Sequence, residues 1–275
     1  PLMLSEIALG RKTQKAAIEA YKEADHRFKF NGILQTIVPW FLICFYCTFG
    51  GYISKYLFQS ITALFSKSAV LNTGDPGALF GGMVGNVGNS VAWMAGFLIL
   101  TMIIVFGGVS GGIEKFCKIA MPALFVLLVI VVIRSCTLPG ATPGLKFLFY
   151  PDLSMWKKSF FNVVSLAGGQ MFFSLSLASG CIIAYGSYLG KKENLESNAA
   201  IITLGDSLVA ILAGMAIMPA VFAFGLEPGG GPGLLFVSMT TVFQSMGAAG
   251  KIFQLAFWLL VFFAALSSSI GMMEA

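Results

Sequence analysis

AGGQMFFSLSLASGCIIAYGSYL, residues 167–189, decides how this chain is read. It lies inside an uncharged run from Ser159 to Gly190, long enough to cross a bilayer. Its centre, Ser174-Leu-Ser-Leu-Ala-Ser179-Gly180, holds three hydroxyls and a glycine within seven residues. Lipid satisfies no polar group. Polar or irregular backbone at that depth therefore persists only where protein buries it or a cavity lines it. One reading is a broken helix whose freed carbonyls and hydroxyls hold a small cation near mid-membrane. The other is a continuous helix whose small residues allow close packing, with each serine bonded back to its own turn. The segment alone leaves both open.

The rest of the chain places this segment in a membrane protein. Its 275 residues are 57% hydrophobic and 11% charged, with a mean hydropathy of +0.86. Soluble domains carry about 25% charged residues. The net charge of +5 is no nucleic-acid signal, because the basic residues fall between apolar runs. Five cysteines, Cys44, Cys47, Cys117, Cys136 and Cys181, lie in or beside apolar runs without metal-ligand spacing, and read as small core residues. The chain starts at Pro1 without a signal peptide and ends in an apolar run, so an internal piece of a longer membrane protein is expected.

The hydrophobic pattern gives one transmembrane domain over 1–275. Its expected spans are 1–9 (the tail of a helix), 32–58, 89–109, 117–135, 161–189, 199–226 and 252–274. Residues 227–250 open with EPGGGPG and read as a loop carrying a short amphipathic hairpin. The connection 10–29 holds six of the 17 Lys and Arg residues, which sets it on the cytoplasmic side.

Ionisable groups inside spans are functional candidates by default. Glu6, Asp206 and Glu274 qualify. Glu274 closes a helix and reads as structural. Asp206 has no basic residue within one helical turn, so a carboxylate at that depth calls for a cation. Ser267-Ser268-Ser269 offers hydroxyls to a hard cation, or back-bonds to its own helix. His26 is a solvated loop residue. Gly229-Gly230-Gly231-Pro232-Gly233 lacks the Lys-Ser/Thr ending of a phosphate loop. No Ser/His/Asp or Cys/His arrangement is present, so an enzyme is not expected.

PLMLSEIALGR, FYCTFGGY, KIAMPALFVLLVIVVIRSCTLPGATPGLKFLFYPDLS, QMFFSLSLASGCIIAYGSYL, AGMAIMPAVFAFG and AALSSSIGMMEA follow one another along the chain. In that order they resemble prokaryotic neurotransmitter:sodium symporters. The resemblance implies an all-α polytopic membrane protein with the family's inverted-repeat transporter fold. The chain would cover the end of helix 2 through helix 8, without helix 1 and helices 9–12. Residues 227–250 become the extracellular lid loop. Tyr46 matches the residue that meets a substrate carboxylate, and Leu42 a pocket residue one turn earlier. Phe173 matches the aromatic gate, Ser176 a residue near the substrate amine, and Ser179, Ser268 and Met272 further pocket positions. Ser174, which also counts among the substrate-pocket positions, and Asp206 match one sodium site. Ala264, through its carbonyl, with Ser267 and Ser268 matches another. Glu6 matches a carboxylate that braces the broken helix. Many relatives carry a bulky residue at Ser179 and glycine at Ala178, so the substrate's side chain stays open.

What the resemblance implies in function is sodium-coupled import of amino acids or related amines by alternating access, in the cell membrane. The expected ligands are sodium ions and a small-molecule substrate. No organic cofactor, no nucleic acid and no chloride requirement are expected, and a homodimer is left open. The rival readings are a non-transporting membrane subunit or receptor on the same fold, or a cation channel.

Overall fold

The computed structural model describes all residues except 67–70, 72, 73, 109–111, 151, 152, 226, 227, 229, 230, 232 and 275. Of the positions quoted above, Pro151, Asp152, Glu227, Gly229, Gly230, Pro232 and Ala275 fall outside the described residues.

The described chain is all-helical. In order it forms α1 (Leu2–Thr13), α2 (Ala17–Ala24), a 3-10 turn (His26–Phe28), α3 (Lys29–Phe65), α4 (Pro76–Gly85), α5 (Val87–Phe106) and α6 (Glu114–Cys136). Then follow α7 (Thr142–Phe149), α8 (Ser154–Ser174), α9 (Cys181–Ser187), α10 (Leu195–Ala223), a π-helical turn (Leu234–Ser238), α11 (Met239–Ser245) and α12 (Gly247–Glu274). Five helices among the described residues, α3, α5, α6, α10 and α12, are long and apolar enough to cross a membrane. The chain is a multi-pass membrane protein. α3 carries 37 residues, about 55 Å at the helical rise, against a hydrocarbon thickness of about 30 Å.

Two compact units divide the chain. The first comprises Pro1–Phe45, Asp152–Val209 and Ser269–Ala275; the second comprises Tyr46–Pro151 and Ala210–Ser268. In the first, α1 packs on α9. Gly10 and Gly186 make the close approach possible: a Cβ at Gly10 would collide with the Ile183 carbonyl, and one at Gly186 would lie 2.8 Å from the Ile7 oxygen. Met3, Ile7, Leu177 and Leu195 form a buried cluster here, and Ala17, Ala20 and Ile183 a second.

Aromatic rings organise the second unit. Phe236, on the π-helical turn, is fully buried. It stacks on Phe80 with centroids 5.0 Å apart and on Trp258 at 5.3 Å, with Phe49, Tyr52 and Tyr56 around its edge. Polar bonds in this unit compensate for a proline inside a helix. Pro219 sits inside α10 and lacks the N–H that would bond the Met215 carbonyl. Cys136 Sγ donates to that carbonyl at 3.9 Å, and Ala220 N–H donates to Ser135 Oγ at 3.1 Å.

Between α8 and α9 the helix breaks. α8 stops at Ser174 and α9 starts at Cys181. Three residues between them adopt left-handed backbone: Ser176 (φ 52°), Ala178 (φ 56°) and Gly180 (φ 75°). A residue in that region cannot continue an α-helix. Of the two readings of 174–180, the broken helix is the one the backbone takes. α8 itself bends at Ser159, whose φ of −158° is extended.

Candidate functional site

The break creates the candidate site in the first unit. Past Ser174 the chain turns on short-range bonds: Leu175 N–H to Met171 O, Ser176 N–H to Phe173 O and Leu177 N–H to Phe172 O. Ser179 is buried, and its hydroxyl donates to the Ser176 carbonyl at 2.6 Å. The Ala178 N–H points away from any helix ladder and donates to Glu6 Oε1 at 3.0 Å, across 172 residues of chain. A carboxylate on α1 thereby fixes a left-handed residue of the break. Charge-assisted bonds of this kind are the stronger sort.

Ser174 and Asp206, both singled out from the sequence, meet here. The Ser174 hydroxyl donates to the Asp206 carboxylate, 2.8 Å from Oδ1 and 2.9 Å from Oδ2. Asp206 is therefore partnered by a neutral hydroxyl. Oxygen donors of this type suit a hard cation, and the donor set fits sodium. Phe173 is 49% exposed, with Ser176 half-buried two residues beyond Ser174. Leu42 on α3 and Met272 on α12 are half-buried in the same unit.

The second unit holds the remaining candidates. Ser267 Oγ donates to the Ala264 carbonyl at 3.0 Å, so the hydroxyl and carbonyl oxygens lie side by side one helical turn apart. Ser268 is exposed next to them, and Tyr46 is half-buried on α3. The hydroxyl of Ser267 serves both readings of the serine run, since the back-bond presents its oxygen beside a carbonyl.

Several contacts around the site escape a sequence reading. Tyr188, at the end of α9, donates to Glu274 Oε1 at 2.5 Å, so the helix-closing carboxylate has a specific partner 86 residues away. Gln35 Nε2 donates to Tyr21 Oη at 3.0 Å, and its side chain also interacts with Glu6. Arg11 Nη1 donates to the Glu193 carbonyl at 2.8 Å, tying α1 to the charged turn before α10. All three join residues far apart in sequence or buried in an apolar run. None has a local spacing that would mark it. On the loop outside the spans, the Arg27 guanidinium beside Asp25 holds that carboxyl below its usual range. His26 between them is exposed.

Known proteins resemble this chain in sequence and fold. Over its full length the chain is 36% identical to an uncharacterized sodium-dependent transporter, YhdH, of Bacillus subtilis (strain 168), and covers 60% of that protein. It is 35% identical to an uncharacterized sodium-dependent transporter of Haemophilus influenzae, covering 61% of it. Among solved structures, MhsT in complex with L-phenylalanine superposes on the whole chain with a TM-score of 0.89 and 39% identity, and 61% of MhsT is covered. The chain thus spans about three fifths of the length of these relatives. Residues 78–275 match the family model described as the Sodium:neurotransmitter symporter family. With the helix broken at 174–180 and a fold shared with a solved relative, the chain belongs to the sodium:neurotransmitter symporter family, a family of symporters rather than enzymes.

Proposed function

We propose that the full-length protein is a sodium-coupled symporter that imports amino acids or related amines across the cell membrane by alternating access. The observation that carries this is the Ser174–Asp206 pair at the mouth of the broken helix. A carboxylate held by a hydroxyl, beside a backbone turned out of its ladder, presents hard oxygen ligands where a membrane helix would otherwise present none. Ser174 and Asp206 would ligate one sodium, and Ala264 O, Ser267 and Ser268 a second. Leu42, Tyr46, Phe173, Ser176, Ser179, Ser268 and Met272 would line the substrate pocket. The L-phenylalanine bound by MhsT supports an amino acid as substrate. Coupling follows from differential affinity: ions and substrate that bind one conformation better shift the population toward it.

Asp206 also bears on anions. A chloride about 4 Å from a carboxylate would be repelled by about 4 kcal/mol at an effective dielectric constant of about 20. One excludes the other, so transport does not require chloride. Ala210, one turn further along α10, has no hydroxyl to help hold an anion.

The test is uptake by the reconstituted full-length protein under a sodium gradient, with gluconate in place of chloride. Wild type should accumulate substrate equally with either anion, and Asp206→Asn should lose most of its activity. Substrate-dependent sodium entry separates a symporter from a receptor-like subunit or a channel. A strict chloride requirement in wild type would overturn the role given to Asp206.

A further inference from the structure

Three ties join the chain after α3 to the chain around α11, and all lie within the second unit. Lys251 Nζ, in the first turns of α12, donates to the Ser66 carbonyl just past the end of α3, at 3.4 Å. Gln244 Nε2, on α11, donates to two carbonyls, Leu71 O at 3.0 Å and Gly74 O at 2.9 Å. Phe236, on the π-helical turn, stacks on Phe80 of α4 with the rings 8° from parallel. The three hydrogen bonds span 170 to 185 residues of chain, so each is a tertiary contact and not a turn.

Gln244 has the chemistry this position needs. A primary amide carries two hydrogens on one nitrogen, so a single side chain can serve two carbonyls at once. Gly74 directly precedes Asp75, which caps α4 by accepting the Ala78 N–H at 2.7 Å. The amide therefore holds the chain at the point where α4 begins, and Phe80 holds the helix one turn further on. α11 in turn has little slack against α12. A Cβ at Gly250 would collide with the Phe243 carbonyl, so the Gln244 and Lys251 anchors keep a fixed spacing.

We infer that Gln244 is a clasp: α4, the π-helical turn and α11 form one cooperative unit that loosens and closes as a whole. Segments tied by such contacts open together, at one free energy, and not residue by residue. On the reading that residues 234–245 belong to the lid of a symporter, the lid moves only with α4 attached. That last step rests on the symport reading; the clasp does not.

Hydrogen exchange of the full-length protein in lipid nanodiscs, followed by mass spectrometry on peptides from α4 and α11, tests the clasp. Gln244→Met keeps the size of the side chain and removes both donors. Exchange should speed up by about tenfold in α4 and α11 alike, the loss expected for two neutral hydrogen bonds, and stay unchanged in the middle of α3. Gln244→Lys, whose ammonium supplies donors at similar reach, should recover most of the protection. If Gln244→Met does not fold, Phe80→Leu cuts the ring contact, leaves the amide in place, and should loosen both elements together. Faster exchange in only one of the two elements, or in neither, overturns the proposal. So does a Lys variant as loose as the Met variant, since packing and not the donors would then hold the unit. The exchange is read without transport. A protein that shows the coupled loss but fails sodium-driven uptake would refute the symport reading and leave the clasp standing.

Discussion

The break at 174–180 and the ring cluster around Phe236 are held by opposite means. The break relies on directed polar bonds: Ala178 N–H to Glu6, Ser179 to the Ser176 carbonyl, Ser174 to Asp206. It keeps two non-glycine residues in left-handed backbone and leaves Ser174 and Ala178 exposed. The cluster relies on area and stacking. Phe236, Trp258 and Tyr56 are at most 1% exposed. A region proposed to bind and release an ion has reason to keep few strong contacts, since loosely held segments are where proteins open. A region that only has to stay closed can be densely packed.

The two regions also differ in how plainly the sequence announces them. Three hydroxyls and a glycine in seven residues mark the break locally, because polarity within an apolar run conflicts with the membrane. The helical spans are legible for the same reason, since each is a continuous apolar run. Phe236 is one of 26 phenylalanines, and nothing adjacent distinguishes it. Its role arises from Phe49, Tyr52, Phe80 and Trp258, which only the tertiary fold assembles. Glu6 was legible as a charge in a span, but its Gln35 and Tyr21 neighbours were not. An amide in an apolar helix and a tyrosine on a polar loop each have ordinary local explanations.

If the cluster is held by packing, Phe236→Ala should give the largest effect in the molecule. Truncating a buried ring costs about 3–5 kcal/mol through lost transfer energy and the cavity left behind. Denaturant unfolding in mild detergent measures it. A loss below about 1 kcal/mol would mean the rings collapse into the space and the cluster is not the anchor it looks to be.

The break should respond to polar deletions that barely change volume. Ser174→Ala removes a hydroxyl oxygen proposed as a sodium ligand, and losing a polar partner of a charge costs the bound state roughly 1–3 kcal/mol. Sodium affinity should fall by about tenfold, since each 1.4 kcal/mol is a factor of ten. Ser268→Ala should weaken sodium dependence more than it changes substrate preference. Sodium activation curves for both variants give the check, and identical curves would remove these serines from the ion sites.

A smaller effect of opposite sign is expected at Tyr56. Among the described residues its hydroxyl is buried without a hydrogen-bond partner, as is the Trp258 indole N–H. Replacing such a group by an apolar one of the same shape is near neutral or stabilising. Tyr56→Phe should therefore raise the melting temperature or leave it unchanged. A clear drop would show that the cluster depends on a polar partner after all, and would erase much of its contrast with the break.

The finest test of the contrast is Ala178→Gly. Ala178 has φ 56°, where a side chain costs roughly 1–2 kcal/mol relative to glycine. Glycine removes that strain but gives the unfolded chain more freedom, which offsets roughly 0.4–1 kcal/mol. The N–H is retained, so the bond to Glu6 survives. The balance is a gain of about 0.5 kcal/mol, small but positive. Ala178→Val should go the other way and cost more than the glycine variant gains, because a β-branched residue in this backbone region is a strong outlier. Melting curves of the three proteins, read with Glu6 intact, order them glycine, alanine, valine. If alanine is instead the most stable, the left-handed turn is not strained, and the bond from Glu6 holds a conformation the chain would have adopted unaided.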